Sequence, residues 1–105
     1  MIYAIDFDGT IVEDRFPEIG EPKKERIEAI KRLQAYGAKI ILWTCRTGKD
    51  LEAAVKWCEE HGLVFDAVNE NLPETQKKWG GDTRKVFCDL YIDDKNMPDY
   101  FLDCV

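Results

Sequence analysis

Apolar residues gather in short blocks separated by amphipathic stretches. The run from Ile2 to Phe7, stopped by Asp8-Gly9-Thr10, predicts a buried strand ended by turn residues. A second strand is predicted over 39–44, where Ile40-Ile41-Leu42-Trp43 is too continuous to leave one face wet, as in a parallel sheet covered on both sides. Shorter runs over 63–68 and 86–92 predict a third and a fourth. Between the first two strands, Ile27, Ile30 and Leu33 recur at helical spacing, with Pro22 placed for a first turn and Gly37 just past the end. A second helix is expected from a Thr47 cap, with Asp50 in its first turn, an inner stripe of Leu51, Ala54, Val55 and Cys58, and a stop at Gly62. Residues 73–79 predict a brief helix before Gly80-Gly81. The polar stretch 13–21 separates the first strand from the first helix, and Glu13-Asp14-Arg15-Phe16-Pro17 within it reads as a flap. Strands alternating with helices imply parallel β-α-β units with right-handed crossovers, hence a three-layer α/β sandwich around a central parallel sheet.

At 105 residues the chain fits one small domain, 1–105, with no internal repeat or linker. Its 45% hydrophobic and 34% charged residues are those of a globular protein rather than a disordered one. Fifteen Lys and Arg against 21 Asp and Glu give a net charge of -6, a field that repels nucleic acid and anionic membranes. A phosphate-bearing ligand then needs a metal or a few placed cations. The longest apolar stretch is far short of a membrane span, and Met1 leads into Ile2 without a basic segment, so a cytoplasmic location is expected. Cys45, Cys58, Cys88 and Cys104 form no C-x-x-C pair, and the expectation is reduced thiols rather than a zinc site or disulfides.

In a parallel α/β fold, ligands bind beyond the carboxyl ends of the strands. The first strand there ends in Asp6-Phe7-Asp8-Gly9-Thr10, the second in Thr44-Cys45-Arg46, and the fourth in Asp93-Asp94 with Lys85 at its beginning. Asp6 and Asp8, two apart, lean to one side while the chain stays extended, whereas the adjacent Asp93 and Asp94 point oppositely. Like charges about 4 Å apart repel by about 4 kcal/mol at an effective dielectric near 20, so such a cluster calls for a cation. All-oxygen donors suit a hard ion, and Mg²⁺, held by one or two carboxylates plus substrate phosphate, matches best.

These motifs resemble the haloacid dehalogenase superfamily of phosphohydrolases over nearly the whole chain. D-F-D-G-T-I-V at 6–12 is similar to its first motif, I-I-L-W-T at 40–44 to its second, Lys85 to its third and L-Y-I-D-D at 90–94 to its fourth. The resemblance implies a Mg²⁺-dependent phosphatase, with Asp6 as the nucleophile that forms an aspartyl-phosphate and Asp8 as general acid and base. It further implies that Thr44, with Gly9, Thr10, Cys45 and Arg46 around it, binds the phosphoryl group, and that Lys85 neutralises it and holds Asp6. Asp6, Asp8, Asp93 and Asp94 would supply metal ligands, Asp94 ahead of Asp93, and Lys77 or Lys78 could replace Lys85. The chain lacks room for the cap domain usual in that superfamily, so the site is expected to be open. It would then accept a phosphopeptide, or a phosphorylated small molecule under a lid from a second copy of the chain.

Arg46 opens the loop before the second helix, from where a guanidinium could reach a phosphate or pair with an acid. Thr47-Gly48-Lys49 is not a P-loop, since Trp43 stands where its first Gly is required. His61, at a helix carboxyl end, reads as a partner of the dipole, and Trp57 as packing. A receiver-type signalling domain also combines acids, Thr and Lys on a parallel sheet, but it carries its acidic pair first and the acceptor Asp later, the reverse of this order. A non-catalytic binding module is the third reading.

Overall fold

The computed structural model describes residues 1–97. Along the chain run β1 (Ile2–Ile5), β2 (Val12–Arg15), β3 (Glu18–Pro22), α1 (Lys24–Ala35), β4 (Lys39–Leu42), α2 (Gly48–Glu60), β5 (Ala67–Val68), α3 (Pro73–Trp79) and β6 (Leu90–Ile92). Four strands form one parallel sheet in the order β5-β4-β1-β6, which puts β1 between β4 and β6 at the centre.

That order follows from the handedness of the crossovers. The chain steps from β1 through α1 to β4 and through α2 to β5 in one direction, so both helices lie on one face. It then returns across the other face through α3 to β6. Period-two alternation divides the strands accordingly: Tyr3, Ile5, Ile40, Leu42 and Ile92 pack against Ile30, Leu33, Ala54 and Cys58 of the helices, whereas Ala4 and Ile41 pack against Leu72 and Val86. The fold is thus the expected three-layer sandwich, but its layers are unequal. The seven-residue α3 has no buried residue, and the sheet face beneath it is covered mainly by the segments flanking that helix.

Several elements depart from the sequence pattern for identifiable reasons. The run 86–92 is a strand only over β6, because before it the chain turns to other partners: Phe87 N–H donates to Asn71 Oδ1 at 2.6 Å. The run 63–68 pairs only at β5, although Leu63 is fully buried under α2. Pro22 ends β3 rather than entering a helix, and α1 begins at Lys24. The polar stretch 13–21 is an antiparallel hairpin of β2 and β3. Its Gly20 leaves no room for a side chain, since a Cβ there would stand 2.1 Å from the Glu13 carbonyl oxygen. Thr47 precedes α2 as expected, but its side chain makes no capping hydrogen bond.

Cys58 is buried, which pushes its thiol up to about 12, while Cys88 is half-buried and Cys45 exposed; all three are free. Cys104 lies outside the described residues. Among the described residues no helix is long and apolar enough to cross a membrane.

Candidate active site

Asp6 follows β1 directly and keeps the strand's hydrogen bonding, donating its N–H to the Ile92 carbonyl at 2.9 Å. The chain then turns tightly, with the Phe7 carbonyl accepting from Thr10 and Ile11. Gly9 has φ +84°, and a Cβ there would meet Asp94 Cβ at 3.2 Å, so glycine is required by both conformation and space. Arg26 of α1 secures the turn by donating to the carbonyls of Gly9 at 3.0 Å and Thr10 at 3.3 Å. Thr10 is fully buried and its hydroxyl has no partner among the described residues. Gly9 and Thr10 therefore build the turn, and neither lines the cavities described below.

Arg46 is only 2% exposed and grips Asp8 in a bidentate pair, Nε to Oδ2 and Nη2 to Oδ1, both at 2.8 Å. Its Nη1 donates to the carbonyls of Pro17 and Asp50, and Nη2 also to that of Glu18. All five guanidinium donors are thereby engaged. The rings of Phe7 and Phe16 lie 5.2 Å and 5.0 Å from the guanidinium carbon. Arg46 thus has no donor left for a phosphate. It fastens Asp8, the β2–β3 hairpin and the start of α2 to one another, a role that the sequence order alone did not indicate.

Two cavities meet at Asp6, Thr44 and Cys45. One, of about 350 Å³, is polar and adds Asp8, Asp14, Phe16, Arg46, Asp94 and Lys95 to those three. The other, of about 600 Å³, lies on the α3 side of the sheet and adds Ala4, Trp43, Asn69, Tyr91, Ile92 and Asp93. As expected of neighbours, Asp93 and Asp94 part, one to each cavity. Asp93 Oδ1 accepts the Lys95 N–H at 2.8 Å, while Asp94 stands 3.6 Å from Lys95 Nζ. Thr44 Oγ1 accepts the Arg46 N–H at 3.1 Å, which orients the hydroxyl oxygen inside the loop.

Lys85 is placed elsewhere. It lines a third cavity with Thr83 and Trp79, its Nζ 5.9 Å from the Tyr91 ring, and it does not line either cavity that contains Asp6. Lys77 and Lys78 end α3, with Lys78 over the exposed Trp79. Among the lysines of the described residues, the one beside the acidic group is Lys95, which the sequence reading passed over. His61 bonds the Trp57 carbonyl through Nδ1 at 2.7 Å and stacks on that indole, while Trp57 packs edge-on against Phe7, so both are structural.

Asp6 is raised from its ordinary value of 3.8 to about 6, first by burial and then by the charges of Asp8, Asp93 and Asp94, against the lowering effect of the Phe7 N–H. A folded value above the unfolded one contributes stability that is present below about pH 4 and lost as pH rises through about 6. In chelator, urea unfolding should show wild type losing on the order of 1–2 kcal/mol over that window, after allowance for solvent access to Asp6. Asp6→Asn should lack this loss, and an identical pH profile would refute the upward shift of Asp6.

The same repulsion is the test of whether a cation fits. The donors are hard oxygens, Arg46 offsets only Asp8, and Asp6 and Asp94 are left facing the polar cavity. Among the described residues no three His, Cys, Asp or Glu side chains form a ready metal cage, so the expected four-carboxylate set is not assembled. Asp8 is held by Arg46, and Asp93 lines the other cavity. Asp6 and Asp94, two hard carboxylates facing one cavity, are the residues that would hold a hard cation such as Mg²⁺.

Asn69 was also missed from sequence. It follows β5 with φ +53° and accepts the Thr44 N–H through Oδ1 at 2.8 Å, which ties the β4 loop to the cavity wall. An Asn at the carboxyl end of a strand, tolerant of the left-handed region, is the signal that would have found it. Asn71 is buried and binds Asp82, Thr83 and Phe87, which sets the path of the chain around α3.

Among solved structures, the chain is similar to a conserved protein coded by a locus of Bacteroides thetaiotaomicron. The two are 43% identical with a TM-score of 0.85, over 99% of this chain and 86% of that one. No protein-family model matches the chain, and neither does any curated protein.

Proposed function

For this chain, which belongs to the same family as the conserved Bacteroides thetaiotaomicron protein, we propose the activity of a Mg²⁺-dependent phosphomonoesterase of haloacid dehalogenase type that works through an aspartyl-phosphate. The observation that supports it is the position of Asp6, a half-buried carboxylate at the junction of two cavities, with Asp8 fixed in one of them by Arg46. Bound Mg²⁺ would offset the charge of Asp6, Asp94 and the phosphate, with Lys95 adding a mobile positive charge.

A carboxylate oxygen of Asp6 attacks phosphorus, and the ester oxygen leaves with a proton from Asp8. Water then attacks the acyl phosphate while Asp8 takes its proton, which returns Asp6 and releases phosphate. Each Asp8 oxygen accepts from Arg46 with one lone pair and keeps another, so the proton can sit on Asp8 without breaking the clamp. Phosphoryl transfer depends mainly on positioning and charge, which is what the clamp supplies. The hairpin's Phe16 and Asp14 line the polar cavity and form its built-in rim. The substrates of this reading are phosphorylated small molecules or phosphopeptides, in the cytoplasm, with a second copy of the chain as the lid.

Hydrolysis of p-nitrophenyl phosphate tests the reading. Activity should vanish in chelator and return with Mg²⁺ but not Ca²⁺, whose looser coordination misplaces the nucleophile. Full turnover in chelator would rule out the site as drawn. Cys45 also stands at the junction, but His61 is bonded to the Trp57 carbonyl and lines neither cavity there. Cys45→Ser should keep at least about a tenth of the activity, and its collapse in a folded protein would transfer the chemistry to sulfur.

A further inference from the structure

The larger cavity has a shape that the proposed reaction does not by itself require. Register pairs Ala4 of β1 with Ile41 of β4 and with Tyr91 of β6. Two residues on, Asp6 and Trp43 stand on the same face as Ala4. Trp43 and Tyr91 therefore rise from the two strands that flank β1 on the face of Ala4, Tyr91 level with Ala4 and Trp43 two residues further on, level with Asp6. Neighbouring strands lie about 4.8 Å apart and the two positions are offset by two residues, so the aromatics start about 12 Å apart on a diagonal across β1. A flat ring held between two others needs about 7–8 Å, two carbon contact distances. The cavity lined by both aromatics, with the buried Ala4 at its floor, thus leaves room for one inserted ring.

The walls are fixed in place. Tyr91 donates its hydroxyl to the Val86 carbonyl, and both aromatics pack on the small core with Ala4, Ile41, Leu72 and Val86. Because the Thr44 N–H requires an acceptor, the Asn69 amide must present its oxygen there, and its Nδ2 has no partner among the described residues. The cavity therefore combines aromatic walls, one amide donor and, about 7 Å along β1 from the floor, the Asp6 carboxylate.

We infer that this cavity takes a planar aromatic group carried by the phosphate monoester, with the ring between Trp43 and Tyr91 and the phosphate at Asp6. The shared chemistry is an aromatic ring a few bonds from phosphorus, as in an aryl phosphate or a nucleoside monophosphate. The inference rests on the phosphohydrolase reading for the chemistry at Asp6, but the binding preference can be measured without turnover.

The probes are benzylphosphonate and methylphosphonate, titrated in excess Mg²⁺ with the Trp43 indole N–H followed by NMR. The aromatic probe should bind about 10- to 100-fold more tightly and shift the Trp43 signal. Ala4→Val, which suits a strand and fills the floor, should remove most of that preference, as should Trp43→Ala if it folds. Affinities within threefold of one another in wild type, or a preference untouched by Ala4→Val, would overturn the inference. Turnover of p-nitrophenyl phosphate, a nucleoside 5′-monophosphate and glycerol phosphate then separates the two ideas. Equal kcat/KM for all three, the binding preference being absent, defeats the aromatic cavity and spares the phosphatase. Hydrolysis of none of them, with the preference intact, does the reverse. The faster of the two aromatic esters names the source of the ring.

Discussion

Asp8→Asn is expected to release about one equivalent of nitrophenolate from p-nitrophenyl phosphate in a burst and then turn over about 10²- to 10⁴-fold more slowly than wild type. Nitrophenolate leaves readily without a proton, so the first step survives, whereas attack of water on the acyl phosphate loses its base. Phosphate should accumulate on Asp6 and be found there by mass spectrometry of the rapidly quenched variant. Asparagine can still accept from Arg46 through its oxygen, so the loop keeps much of its geometry. Asp6→Asn should give neither burst nor label. A label on another residue, or a burst from Asp6→Asn, would remove Asp6 from the nucleophile's role.

Loss of Arg46 should have the largest effect on stability. Removing one member of a buried ion pair costs about 3–5 kcal/mol, because the remaining carboxylate loses its partner. Here the carbonyls of Pro17, Glu18 and Asp50 also lose their donors. Arg46→Met is therefore expected to lower Tm by at least about 12 °C, at roughly 4–8 °C per kcal/mol for a domain of this size. Combining it with Asp8→Asn should recover part of that loss, since the unpaired charge is gone. Arg46→Lys, with three donors in place of five, should fall between. In the folded Arg46→Lys protein kcat should drop while inhibition by inorganic phosphate changes less than threefold, because the guanidinium has no donor facing the cavity. Loss of phosphate inhibition with stability unchanged would instead make Arg46 a phosphate ligand.

The alternation of apolar runs and helical stripes was sufficient to specify the α/β sandwich, because a parallel sheet covered on both sides demands continuous apolar strands and right-handed crossovers. It also placed Asp6, Asp8, Thr44, Cys45 and Arg46 near one edge of the sheet, since strand ends are marked locally by the change from apolar to polar residues. Hydrophobicity did not mark where strands stop pairing: 63–68 and 86–92 are longer than β5 and β6, because Leu63 is buried by a helix and Phe87 is claimed by Asn71. The hairpin was invisible because Val12–Arg15 and Glu18–Pro22 have little apolar alternation, and the Arg46 guanidinium, distant in sequence, bonds to its turn. The same guanidinium decided that Arg46 and Asp8 are partners, and Gly9 against Asp94 decided which of Asp93 and Asp94 faces the polar cavity. Local sequence determines periodicity and where polarity changes. The matching of five donors to four residues on three segments is a property of the packed chain, and no segment carries it alone.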